Sequence, residues 1–133
     1  MIERVHEHIV EELRTNTRTD TIFVLTAIAL NLIALAINSA VARGRQGATT
    51  TVVMLTFAAL VIVVNFVAEI GLIKGRETRE KLLAGLIKMY KDNGVDQYYD
   101  PALLSAYRTR YNLFMLTVLF TGLVALFIPF VVR

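Results

Sequence analysis

The chain has 133 residues, of which 56% are hydrophobic and 19% charged, and a formal net charge of +3. Composition this apolar excludes a soluble domain, and the charges crowd between three long uncharged segments, the pattern of a polytopic membrane protein. The basic excess is accounted for by loops that stay on the cytoplasmic side, so no nucleic-acid partner is expected, and the absence of cysteine removes disulfides and thiolate chemistry.

Residues 1–18 open the chain with Ile2, Val5, Ile9, Val10 and Leu13 at helical spacing, which predicts an amphipathic helix. Its other side carries Glu3, Glu7, Glu11 and Glu12, an acidity that favours packing on another helix over lying on anionic headgroups. The same residues lack the apolar core of a secretory leader, so none is expected here. The polar run from Thr15 to Asp20 is rich in capping residues, and a break is expected there, with Thr19 or Asp20 as N-cap of the next helix.

Residues 21–42 contain no charge and, at about 1.5 Å per residue, are long enough for the roughly 30 Å of hydrocarbon in a bilayer. A polar turn at residues 43–47 ends this first span. Thr49 or Thr50 is placed to cap the second span, residues 50–74, whose apolar interior holds one ionisable side chain, Glu69. Such a short connection predicts antiparallel neighbours.

Residues 75–111 form a charged segment with an apolar stripe of Leu82, Leu83, Leu86, Ile87 and Tyr90, a stop at Asn93-Gly94 and a start at Asp100-Pro101. The expectation is a helical hairpin that projects from the membrane, its first arm able to continue the second span because nothing between Glu69 and Asn93 forces a break. Tyr98, Tyr99, Tyr107 and Tyr111 gather before the third span, residues 112–132, which is uncharged and has Pro129 near its outer end. The fold class is therefore all-α: one domain, an integral membrane bundle of three transmembrane helices with an amphipathic N-terminal helix and a cytoplasmic hairpin.

Lys and Arg resist translocation in short loops. Eleven of them, including Arg4, Arg14, Arg18, Lys74, Arg79 and Arg110, fall on the side of the N-terminus and the hairpin, against Arg43, Arg45 and Arg133 on the other. The N-terminus is thus expected in the cytoplasm and the C-terminus outside, in a multi-pass protein of a prokaryotic plasma membrane.

Glu69 is the most informative residue, because a carboxylate inside an apolar span costs about 2.5–3.5 kcal/mol unless it finds a partner. Asn65 lies one turn earlier on the same face. Counted inward from the cytoplasmic edge, Glu69 is about 6–8 Å deep and Asn65 about 12–14 Å. Thr26 and Thr117 fall at the level of Glu69, and Asn31 and Thr121 at that of Asn65, so two polar layers are expected. In the first span, Ala27, Asn31, Ala34, Asn38 and Ala42 make a stripe of small and amide side chains. Its plainer reading is helix packing, and its sharper one is a polar pathway. Glu3-x-x-His6 has the donor types of a metal site but no further histidine except His8, a weak signal that favours a solvated face.

With no cofactor expected and no constellation that would make an enzyme, the leading expectation is a homo-oligomeric channel or transport protein using Glu69, Asn65, Asn31 and Asn38. Three helices alone make a thin bundle, so both the lipid bilayer and further copies are expected partners. The alternative is a non-enzymatic accessory or scaffold protein whose 75–111 hairpin binds a cytoplasmic protein.

Overall fold

The computed structural model describes residues 2–95 and 102–133. Three helices make up nearly all of them: α1 (Ile2–Arg43), α2 (Ala48–Asp92) and α3 (Ala102–Val131), each packed against both others. All three are long and apolar enough to cross a membrane. The 42 residues of α1 and 45 of α2 correspond to about 63 and 68 Å, roughly twice the hydrocarbon thickness. Large apolar side chains such as Leu25, Phe66 and Phe120 stand 63–66% exposed on the outside, the surface that lipid solvates in a multi-pass membrane protein.

The inward faces explain why the helices run on. In α2 the buried residues are Met54, Ala58, Val61, Asn65, Ala68, Leu72, Gly75, Arg79, Leu83 and Leu86, a sequence of three- and four-residue steps. That near-heptad phase passes from the apolar into the charged part without interruption, so one helix packs along its whole length as in a coiled coil. On α3, Tyr111, Val118, Gly122, Ala125 and Pro129 keep the same phase. The small-residue stripe of α1 is its buried face: Asp20, Ala27, Asn31, Ala34, Asn38 and Ala42.

The break expected over residues 15–20 is absent; α1 is continuous. Capping residues end a helix only when their side chains serve backbone groups left open by a turn, and here Asn16, Thr17 and Asp20 bond to α2 and α3 instead. Neither Thr49 nor Thr50 caps α2. Its N-cap is Gly47, with no side-chain cap, while Thr50 donates back to the Arg45 carbonyl. At the other end Asn93 and Gly94 do stop the helix, the glycine taking φ 70 in the left-handed region and the Val95 amide bonding to the Tyr90 carbonyl at 2.9 Å. Asp100, Pro101, Tyr98 and Tyr99 lie outside the described residues.

Candidate functional site: a ladder of polar contacts inside the bundle

The first rung lies where the apolar segments of α1 and α3 begin and that of α2 ends. Asp20 of α1, only 5% exposed, accepts a hydrogen bond from the Tyr111 hydroxyl of α3. Asn16 donates to that hydroxyl at 3.0 Å and to the Gly75 carbonyl of α2 at 3.3 Å. Arg79, 8% exposed, donates to the Leu13 carbonyl at 3.2 Å and to the Thr17 hydroxyl, and its guanidinium lies 4.7 Å over the Tyr107 ring. All three helices thus converge on one network. The glycine is required: a Cβ at Gly75 would overlap the Asp20 carboxylate.

About three turns deeper, Asn31 and Asn65 exchange amide hydrogen bonds of 2.7 and 3.0 Å. Asn31 also donates to Thr121 at 3.0 Å, and Asn65 to the Val61 carbonyl at 2.7 Å. Every amide hydrogen is used, as buried polar groups require. Gly122 lies so close that a Cβ there would be 2.5–2.8 Å from the Asn65 amide. Further along, Asn38 donates to the Met54 carbonyl at 3.3 Å, while its own oxygen and the hydroxyl of Ser39 have no partner among the described residues. At the end of the bundle Arg133 bonds to Gln46 at 2.8 Å and Thr51 at 2.9 Å, tying the α1–α2 turn to the end of α3.

Of the residues singled out in the sequence, Asn31, Asn65 and Thr121 therefore meet. Asn38 serves a neighbouring contact on the same face of α1. Thr26 and Thr117 do not reach Glu69: both are exposed, and Thr117 bonds to the Leu113 carbonyl of its own helix. Each stands one residue before a buried position, Ala27 and Val118, hence about 100° around the helix from it. Glu3 is exposed, and His6 has its Nε2 3.2 Å from the Tyr90 hydroxyl. Among the described residues no three His, Cys, Asp or Glu side chains gather as metal ligands.

Glu69 differs from all of these. It borders a groove of about 260 Å³ between α2 and α3, whose other walls include Val61, Ile62, Asn65, Phe66, Leu119, Gly122 and Leu126. Its Oε1 is buried and has no hydrogen-bond partner among the described residues. A carboxylate oxygen so placed lacks what water or a donor would otherwise supply. Chemically that oxygen can be satisfied by a proton or by a donor group brought by another helix.

Sequence reasoning missed the first rung because Asp20 and Asn16 look like capping residues. The signal that would have found them is phase: Asp20 stands seven residues before Ala27, on the stripe that continues through Asn31. No protein-family model, curated protein or solved structure matches this chain. What the protein does must therefore be read from its own geometry.

Proposed function

We propose that this protein is a homo-oligomeric, non-enzymatic transport protein in which Glu69 binds protons or small cations at the interface between copies. The observation that carries the reading is the buried Oε1 of Glu69, without a hydrogen-bond partner among the described residues, on a residue that borders an apolar groove on the α2/α3 side of the bundle. A second copy seated on that groove shields the carboxylate from lipid and places an acidic group along a shared path, which repays a burial cost that a single chain bears alone. Asn31 is engaged in contacts between helices of one chain, and Asn38 donates to the Met54 carbonyl, so the reading rests on Glu69 and not on these amides. The N-terminus and the projecting ends of α1 and α2 are assigned to the cytoplasm by the excess of Lys and Arg there.

The purified protein in liposomes is expected to pass protons or monovalent cations, and Glu69→Gln to lower the flux about tenfold or more. Cross-linking in the same liposomes should give discrete multimers. A chain that stays monomeric, with no conductance and no response to Glu69→Gln, would sink the reading.

A second reading rests on a different observation. At the far ends of α1 and α2 a cleft of about 360 Å³ is bordered by Ile2, His6, Met89 and Val95, and Ile2, Val5 and Val95 are 41–49% exposed. These apolar residues, on or just beyond helix ends assigned to the cytoplasm, suit the docking of a protein partner, as in an accessory or scaffold protein. A photo-cross-linking residue placed at Val5 in cells should then yield one discrete adduct with another protein. Adducts with lipid or with the chain itself alone would count against docking.

A further inference from the structure

We propose that the pocket on the first rung, between α1 and α3 with Arg79 of α2 as its floor, binds the phosphate of an anionic phospholipid. The pocket measures about 160 Å³ and is walled by Thr17, Asp20, Arg79, Tyr107, Arg110 and Phe114. Two guanidinium groups approach the same Tyr107 ring, Arg79 at 4.7 Å and Arg110 at 5.5 Å. Neither has a carboxylate within 4.0 Å among the described residues, where the ion pairs are Arg14–Glu11, Lys74–Glu77 and Arg108–Glu80.

The two arginines are complementary in what they offer. Arg79 is a buried charge whose hydrogen-bond partners, the Leu13 carbonyl and the Thr17 hydroxyl, are neutral, and the Asp20 carboxylate acts on it only from beyond ion-pair distance. A buried cation of this kind is held at a cost unless an anion comes near. Arg110 is exposed and makes no hydrogen bond or ion pair among the described residues, so its fork of donors is open to a phosphate, the geometry to which guanidinium is matched. Asp20 is the acidic side chain in the wall, and its carboxylate is engaged by the Tyr111 hydroxyl. Two cations against that carboxylate leave the pocket positive.

The lipid, as source of the phosphate, is indicated by depth. Arg110 stands just before the uncharged segment of α3, and Phe114 in the pocket wall and Leu25, one turn beyond Thr21 on α1, present apolar surface, 36% and 63% exposed. A headgroup phosphate between the arginines would set its acyl chains along those residues, as basic pockets between membrane helices do.

The test uses the full chain in nanodiscs of phosphatidylcholine mixed with phosphatidylglycerol, followed by native mass spectrometry of the lipid retained on release. Wild type should retain phosphatidylglycerol in preference to phosphatidylcholine, and Arg110→Gln should lower that retention about tenfold. Arg110 is exposed, so its replacement should leave the helical circular dichroism unchanged. Arg45→Gln, in the α1–α2 turn at the opposite end, should leave retention unaltered. Equal retention by wild type and Arg110→Gln, or an equal fall with Arg45→Gln, would overturn the site. Release of the lipid by millimolar inorganic phosphate would overturn the lipid assignment in favour of a soluble anion.

Discussion

Asp20→Ala is expected to destabilise the folded bundle by about 3 kcal/mol, as breaking a buried, hydrogen-bonded charge network does. The substitution removes the acceptor of the Tyr111 hydroxyl and a negative charge that interacts with Arg79, both at a residue only 5% exposed. Gly75→Ala should be harmful for a complementary reason, since its Cβ would meet the Asp20 carboxylate and that side chain is held between helices; overpacking of this sort costs about 1–3 kcal/mol. The two changes together should be less harmful than their sum, because alanine at position 20 vacates the space that the new methyl group needs. Reversible unfolding in mixed detergent micelles, followed by circular dichroism, measures all three variants. Strict additivity would mean that Asp20 and Gly75 are not neighbours and that the continuous α1 is set in the wrong phase.

The second large effect is expected one layer deeper. Asn65→Ala should cost about 1–2 kcal/mol, since interhelical hydrogen bonds in membranes are individually modest but Asn31 is left with an unmatched amide. Gly122→Ala should cost about as much, because the Asn65 amide is fixed by Asn31 on one side and the Val61 carbonyl on the other and has little room to yield. In the Asn65→Ala background the Gly122 substitution should be nearly neutral. Thermal unfolding of the four proteins in one detergent decides this, and a Gly122 effect that persists without Asn65 would overturn the contact.

These contacts also show which parts of the site could be read from the residues. Asn31, Asn65 and Thr121 were expected at one level because rise per residue is constant, and they meet. Thr26 and Thr117 were placed at the level of Glu69 by the same arithmetic, yet they face outward. Depth along an axis follows from counting, whereas rotation about it depends on the partner helices. Asp20 illustrates the opposite error. Its type and position suit a helix start, but local preference of about 1 kcal/mol for capping is outweighed when the side chain can bond across three helices.

Sequence alone determined that three segments are apolar and long enough to cross a bilayer. Both properties follow residue by residue from the cost of charge in hydrocarbon and from helical rise, and no contact has to be known. The stripe of Ala27, Asn31, Ala34, Asn38 and Ala42 was legible for a related reason, since small and amide residues at steps of three and four mark a close-packed face on any helix. The tertiary structure decided that α1 passes unbroken through residues 15–20, that Asp20, Tyr111 and Arg79 share a network, and that Glu69 borders a groove. Each of these depends on how three helices are rotated against one another, a property of pairs and triples of faces that no single segment carries.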